Sequence, residues 1–288
     1  MMIGKNKYEL DTPCLVIDKD KLIRNIKSMS EYAKNHGKQV RPHAKTHKCP
    51  EICNIQLNNG CIGISITKVS EALALANEGI KNLLITSPIV TQNKINIFSK
   101  ILDLAPETIL VIDSEISLKM VSNLAETKKQ KINIIVDIDA GIGRTGIDFA
   151  SAIDLALGVN SKQYLLLKGI QCYAGQIQHV LSNNERSNLS RTLLNKAGSI
   201  KRQIEELTGI KELIQTGSGT GTYEIDCNIK SVTEIQPGSY TVMDQEYFGI
   251  EYNENKFLPS MTILTTVISA NQSTHVTVDA GTKAIYKE

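Results

Sequence analysis

Eight short runs rich in apolar, mostly β-branched residues recur along the 288-residue chain, and most intervals between them have helical spacing. The clearest helical interval lies between the sixth and seventh runs, where Leu193, Ala197 and Ile204 mark one face. The fifth run begins Ile-Asn-Ile-Ile-Val, a pattern typical of parallel strands covered on both faces. The runs are residues 39–44, 63–67, 82–87, 108–113, 132–139, 167–173, 212–217 and 237–243.

Alternating strands and helices predict an α/β fold, and eight βα units predict a (β/α)₈ barrel of the TIM type. An open doubly wound sheet is the alternative, because the sequence does not show whether the sheet closes. In a barrel, the side chains and loops at the carboxyl ends of the strands form the active site. The chemistry of the chain is therefore expected at the ends of the eight runs.

The two ends of the chain lie outside this alternation. A short apolar strand is predicted at residues 12–17. After the barrel, two β-like runs at residues 261–270 and 275–278 have no helix between them, which predicts an antiparallel β-domain with too few strands to be independent. We expect a barrel domain over residues 11–246, which includes the N-terminal strand, and an incomplete β-domain over residues 247–288.

Charge and hydropathy exclude several classes of function. The chain has 32 basic and 30 acidic residues and a net charge of +2, which is too balanced for a general nucleic-acid or membrane-surface binder. Residues 1–10 are polar and mixed in charge, and no later run approaches the length of a membrane span. A cytoplasmic protein that acts on a small molecule is expected.

The six cysteines are too sparse for a disulfide scaffold, so reduced thiols are expected. His47, Cys49 and Cys53 lie close together in the sequence, but they lack a fourth ligand at a zinc-like spacing. No metal site is predicted there.

The sequence RPHAKTHK, residues 41–48, closes the first run. Extended geometry would place His43 and Lys45 on one face. A neutral lysine amine forms a Schiff base with an aldehyde, and neighbouring cations favour the neutral form by lowering the pKa of the lysine. Arg41, Lys48 and two histidines are expected to supply that positive charge. Taken alone, a lysine in such a basic loop is more often a solvated cation.

Residues 139–146 follow the fifth run and contain the spacing GxGxxG of a dinucleotide-binding fingerprint. That fingerprint needs an acidic residue at the end of the next strand, and residues 167–173 contain none. The alternative is a glycine-supported turn that directs Arg144 into the mouth of the barrel, where a permanent cation binds a phenolate or carboxylate. A tight turn with a surface arginine is a third possibility.

Residues 217–222, GSGTGT, leave the seventh run with three glycines and three hydroxyl groups. Backbone N–H groups in such a loop suit a phosphate, and the lack of GK[ST] excludes a nucleotide P-loop. Barrels commonly bind phosphate at the loops after strands seven and eight, and residues 236–240 of the eighth run lie in the second of these loops. A flexible glycine linker is the alternative.

A lysine for an aldehyde, an arginine for a phenolate and a phosphate cradle together describe a pyridoxal 5′-phosphate site. From Asp11 to Lys283 the chain resembles the D-threonine aldolase and D-serine dehydratase family, which belongs to the alanine-racemase-like, fold-type III pyridoxal phosphate enzymes. The segments that carry the resemblance are RPHAKTHK, the turn at 139–146, GIQCYAGQIQH at 169–179, GSGTGTY at 217–223 and EIQPGSYTVMDQEY at 234–247.

The resemblance implies a role for each residue that matches a family motif. Lys45 would be the catalytic Schiff-base lysine, and Arg144 would lie near the phenolic oxygen of the cofactor. Gln236 falls where alanine racemase has an arginine facing the pyridine nitrogen, and a neutral amide there is expected to protonate that nitrogen less. The other cofactor contacts implied are Tyr173, Ser218, Gly219, Thr220, Gly221, Gly238 and Ser239, and the residues implied to border the substrate are His43, Gln178 and His179.

The resemblance also implies a lyase for small D-3-hydroxy amino acids, and the motifs favour retro-aldol cleavage to glycine and an aldehyde, as in D-threonine aldolase. The alternatives are β-elimination of the D-serine dehydratase type and an inactive pyridoxal phosphate-binding protein. A homodimer is expected. The family also uses a divalent metal, zinc or manganese, whose ligands are expected beyond Glu288, so the 288 residues are expected to bind the cofactor without that metal.

Overall fold

The computed structural model of the protein describes residues 4–253 and 257–284. The β-branched runs form strands, and the amphipathic intervals form helices that begin at polar capping residues such as Asp18, Thr91 and Ser182. The strands are β1 (Cys14–Ile17), β2 (Gln39–Val40), β3 (Ile64–Ile66), β4 (Leu83–Ile85), β5 (Ile109–Ile112), β6 (Ile132–Ile138), β7 (Leu165–Cys172), β8 (Ile214–Gly217), β9 (Glu234–Ile235), β10 (Met261–Leu264), β11 (Val267–Ser269) and β12 (Thr277–Val278).

The helices alternate with the strands of the barrel. No helix within the two described ranges is long and apolar enough to cross a lipid bilayer. The α-helices are α1 (Lys19–Asn35), α2 (Pro50–Asn58), α3 (Val69–Asn77), α4 (Gln92–Leu104), α5 (Glu115–Lys128), α6 (Ala152–Asn160), α7 (Asn183–Thr208), α8 (Tyr223–Asp226) and α9 (Gln245–Gly249).

Backbone hydrogen bonds close the sheet into a barrel. Strands β3 to β8 form one parallel sheet in sequence order, and β2 pairs in parallel with β9. The β2 segment joins β3 through Ser65 N–H, which donates to the Pro42 carbonyl at 2.8 Å. The β9 segment joins β8 through Gln236 N–H, which donates to the Gly217 carbonyl at 2.7 Å. The predicted (β/α)₈ barrel is confirmed, and the open sheet is excluded.

The interior of the barrel has an apolar layer below a polar one. Leu84, Val111 and Ile135 belong to a small buried cluster that is separate from the main hydrophobic core between strands and helices. Side chains two positions apart on a strand share a face, so Thr86 and Asp137 continue the faces of Leu84 and Ile135 toward the carboxyl ends. The polar groups of the barrel are therefore concentrated where its loops form the site.

The first and last predicted barrel strands differ from the observed ones. Strand β2 ends at Val40, although the N–H groups of Arg41 and His43 still donate to the Ile235 and Pro237 carbonyls at 2.9 and 3.0 Å. Residues Ala44–Thr46 then form a 3₁₀ turn. The eighth strand was expected at residues 237–243 and is instead β9, since Pro237 has no N–H to extend the pairing with β2 and residues Ser239–Thr241 also form a 3₁₀ turn.

The N-terminal strand β1 pairs antiparallel with β10, so the segment after the barrel returns to the beginning of the chain. The run predicted at 261–270 divides into β10 and β11, and β11 pairs antiparallel with β12. The division occurs where the Thr265 hydroxyl donates to the carboxylate of Asp279 at 2.6 Å. Within the expected domain 247–288, residues 254–256 and 285–288 lie outside the described ranges.

Candidate active site

One cavity lies at the carboxyl ends of the barrel strands and brings together most of the predicted site residues. Four predicted residues, Ser218, Gly221, Gln178 and His179, do not line it. Those that do are His43, Lys45, Arg144, Tyr173, Gly219, Thr220, Gln236, Gly238 and Ser239. The lining residues that the sequence analysis missed are Thr67, Thr86, Ser87, Thr145, Gln171 and Tyr247.

Lys45 projects into this cavity from the 3₁₀ turn after β2, and its Nζ lies 5.5 Å from the centre of the Tyr173 ring. Loss of hydration among the surrounding protein atoms, and then the positive charge of Arg144, lower the pKa of Lys45, although the side chain is exposed through the cavity mouth. A larger fraction of the amine is therefore neutral and able to attack an aldehyde.

The cations expected to lower the pKa of Lys45 are engaged elsewhere. Arg41 Nε lies 3.2 Å from Glu234 Oε1, and both side chains are buried. Lys48 Nζ lies 3.0 Å from Glu71 Oε1. The expectation was wrong on this point, because opposite charges neutralise both groups. The effective cation is Arg144, which is almost one hundred residues away in the sequence.

His43 is neutral, and its hydrogen bonds fix its tautomer. Nδ1 accepts the backbone N–H of Lys45 at 3.3 Å, so the ring proton is on Nε2, which lies 3.1 Å from Thr86 Oγ1. Burial, followed by the positive charges of Lys45 and Arg144, lowers the pKa of His43 well below its ordinary value. His43 thus holds the turn that carries Lys45, and it has no extra proton to donate at neutral pH.

The glycine-rich turn at 139–146 positions Arg144. The Asp139 carboxylate accepts the backbone N–H groups of Gly141, Ile142 and Gly143 at 2.9 to 3.2 Å. These N–H groups are therefore not available for a dinucleotide phosphate, which argues against the fingerprint interpretation. The turn carries the Arg144 guanidinium to 5.7 Å from the centre of the Tyr173 ring, inside the cavity.

The loop after β8 and the segment after β9 offer an anion-binding cradle. The backbone N–H groups of Gly219, Thr220, Gly238 and Ser239 have no acceptor among residues 4–253 and 257–284, and all four residues line the cavity. Unpaired N–H groups in a largely buried site are costly, and a phosphate would satisfy them. The residues present therefore fit a cofactor that carries an aldehyde and a phosphate.

Gln178 lies behind this loop rather than in the cavity. Its Oε1 accepts the Gly221 N–H at 3.0 Å, and its Nε2 donates to Thr222 Oγ1 at 3.0 Å. Thr222 in turn donates to the buried carboxylate of Asp226 at 2.5 Å. These contacts hold the shape of the loop. His179 is next to the cavity wall, since the centre of its ring lies 4.3 Å from that of Tyr247, with the two ring planes tilted by 39°.

Replacing Gly219 with alanine is expected to lower the free energy of unfolding by about 1 to 3 kcal/mol, because the added Cβ would overlap the Gln178 side-chain oxygen. Chemical denaturation measures the loss. In a Gln178→Ala background the same substitution should cost little, since the obstructing atom is gone. Gly221→Ala is the matched control, because its Cβ would overlap the backbone of Gln178 in either background. An equal cost of Gly219→Ala in both backgrounds would contradict this packing argument.

No three His, Cys, Asp or Glu side chains in the described ranges are grouped so that they could hold a metal ion. The residues present thus do not fit the divalent metal, and no step is assigned to it. All six cysteines are unpaired, and four of them are buried.

The barrel and its appended antiparallel strands define an alanine-racemase-like fold. The chain belongs to the family described as alanine racemase, N-terminal domain, whose profile matches residues 17–246. It is 33% identical to a 3-hydroxy-D-aspartate aldolase of Paracoccus denitrificans (strain Pd 1222), over 98% of this chain and 74% of that protein. It is 34% identical to a D-threonine aldolase of Arthrobacter sp, over 99% of this chain and 75% of that protein.

Among solved structures, the D-threonine aldolase from Filomicrobium marinum superposes with a TM-score of 0.89 and 30% identity. The superposition covers 96% of this chain and 75% of that one. A D-serine dehydratase of Dictyostelium discoideum is also similar, but its identity is lower, 26% over 96% of this chain and 74% of that protein. The aldolases are thus more similar to this chain than the dehydratase is.

Proposed function

We propose that the protein is a pyridoxal 5′-phosphate-dependent lyase that cleaves D-3-hydroxy amino acids between Cα and Cβ, giving glycine and an aldehyde. The observation that carries this proposal is one cavity that holds a lysine of lowered pKa, an arginine and four unpaired backbone N–H groups. The relatives named as aldolases support this reaction over elimination.

When bound, pyridoxal 5′-phosphate supplies an aldehyde that condenses with an amine and a conjugated ring that accepts the electrons released at Cα. Lys45 provides the neutral amine that holds the aldehyde. Arg144 provides a positive charge for the phenolic oxygen, and the cradle binds the phosphate through N–H groups that are already oriented. Gln236, which lines the same cavity, would face the ring nitrogen.

Substrate recognition falls to the cavity residues on the side of Tyr173 and Tyr247. Burial raises the pKa of Tyr173, so its hydroxyl stays protonated and able to donate. His179 lies at the rim, 3.7 Å from Glu246, and is proposed to border the substrate there. Gln178 contributes through the loop that it holds, and a homodimer is the expected assembly.

The test is to measure aldehyde and ammonia release from D-threonine, D-3-hydroxyaspartate and D-serine in the presence of the cofactor. Aldehyde and glycine in equal amounts, at least about tenfold above ammonia, are expected from the first two substrates. Ammonia from D-serine as the main product would identify a dehydratase instead. Covalent binding of the cofactor without any turnover would support a binding protein.

A further inference from the structure

Polar side chains from adjacent strands form one hydrogen-bonded chain beneath the cavity. Asp137 on β6 stands opposite Gln171 on β7, which stands opposite Thr216 on β8. Gln236 follows β9, and its backbone N–H bonds to the last residue of β8. All four side chains are buried. We refer to Asp137, Gln171 and Gln236 as the relay.

Asp137 helps to determine which groups of the relay donate hydrogen bonds and which accept them. An ionised carboxylate only accepts hydrogen bonds. The Gln171 amide nitrogen therefore donates to Asp137 Oδ1 at 2.8 Å, and the Thr145 hydroxyl donates to Oδ2 at 2.9 Å. Burial, partly offset by these hydrogen bonds, raises the pKa of Asp137 to about 6, so the carboxyl group remains mostly ionised at neutral pH.

The orientation of the Gln171 amide in turn fixes the orientation of the Gln236 amide. The Gln171 amide nitrogen donates to Asp137 and also to the Thr86 carbonyl at 3.3 Å. Gln171 therefore offers only Oε1 to Gln236, whose Nε2 donates to that oxygen at 3.2 Å. The same nitrogen lies 2.8 Å from Thr216 Oγ1, so both of its protons are used inside the barrel. A flipped Gln236 amide would place two acceptor oxygens together. Gln236 Oε1 has no donor in the described part of the chain, and the residue lines the cavity.

We propose that Gln236 presents only a hydrogen-bond acceptor to the cavity and thereby keeps the opposite ring nitrogen of pyridoxal phosphate protonated. This inference rests on the proposed function. An acceptor stabilises the N–H form of a ring nitrogen, whereas a donor stabilises the unprotonated form. The sequence alone leaves the direction of the amide open. The relay fixes it and reverses the expectation that a neutral amide protonates the nitrogen less.

The consequence is chemical. A protonated pyridine ring withdraws electrons more strongly than a neutral one, so it better accommodates the electron pair released when a bond at Cα breaks. Cleavage of a carbon–carbon bond leaves that pair on Cα until a proton arrives. Gln236 is therefore proposed to keep the proton on the ring nitrogen. Asp137 is a positioning residue that acts only through Gln171 and Gln236.

The experiment loads the holoprotein with pyridoxal 5′-phosphate labelled with ¹⁵N in the ring and measures the ¹⁵N chemical shift at neutral pH. The free cofactor in acid and in base supplies the two reference shifts. The wild type is expected to show the protonated shift. Gln236→Met removes the amide, and Gln236→Arg offers only donors, so both should show the unprotonated shift. An unprotonated ring in the wild type, or a protonated ring in both variants, would overturn the proposal.

Asp137→Asn tests the relay, because an asparagine can donate as well as accept and leaves only the longer bond to the Thr86 carbonyl, 3.3 Å, to orient the Gln171 amide. The fraction of protonated ring should fall, and an unchanged ¹⁵N shift would refute the role of Asp137. Borohydride reduction and peptide mass analysis of every sample keep the two proposals apart. A cofactor attached to Lys45 with an unprotonated ring contradicts only this inference, whereas a cofactor that does not attach contradicts the proposed function.

Discussion

Replacing Lys45 with alanine is expected to abolish covalent attachment of pyridoxal 5′-phosphate and to lower the lyase activity by about 10³-fold or more. The reason is that Lys45 supplies the amine of lowered pKa in the cavity that also holds Arg144 and the anion cradle. The measurement is borohydride reduction of the loaded protein followed by peptide mass mapping, with visible absorbance as a second readout.

Lys48→Ala is the matched control for this experiment. Lys48 lies three residues further along, but its side chain is 60% exposed and paired with Glu71. Attachment of the cofactor should be unchanged in that variant. Labelling of a lysine other than Lys45, or full labelling of Lys45→Ala, would show that the site is assigned wrongly.

Replacing Arg41 with methionine is expected to lower the free energy of unfolding by about 3 to 5 kcal/mol, because Glu234 would be left as an unpaired buried carboxylate. Two guanidinium nitrogens of Arg41 bond to Glu234, at 3.2 and 3.3 Å, and a third bonds to the Asn82 carbonyl at 2.6 Å. The Asn82 carbonyl also loses that donor. Urea denaturation of the purified protein provides the measurement.

The double variant Arg41→Met with Glu234→Leu removes both charges, and it should recover most of the lost stability, since replacing a whole buried pair by apolar groups is often close to neutral. A double variant as unstable as Arg41→Met would mean that the Asn82 contact, rather than the unpaired charge, dominates.

The sequence predicts the middle strands of the barrel well, because their apolar runs are long and lie between clear helical intervals. It fails at β2 and β9, which are only two residues long and are each followed by a 3₁₀ turn within the predicted strand. The prediction did not allow for Pro237, which has no N–H to continue the pairing with β2. The expected strand boundaries there were wrong for a reason that the sequence itself contains.

The site was predicted through its glycine loops and its charged residues, which stand out in the sequence. The polar residues inside strands were missed. Asp137 and Gln171 interrupt the apolar runs of β6 and β7 close to their carboxyl ends, and that interruption is the signal that would have found them. Contacts between residues on opposite sides of the barrel cannot be predicted from the local sequence pattern. The pairing of Arg41 with Glu234, and the charge of Arg144 beside Lys45, depend on closure of the sheet.

The seam between β2 and β9 has a consequence for the order in which the protein is built. Arg41 and Glu234 are 193 positions apart, and Lys45 follows one side of the seam while Gly238 and Ser239 follow the other. A nascent chain holds the lysine long before it holds the second half of the cradle, and such distant contacts form late in folding. A ligand that contacts both the lysine and the cradle would hold the first and last barrel strands together. The concentration of cofactor would therefore affect the stability of the closed barrel in newly made protein.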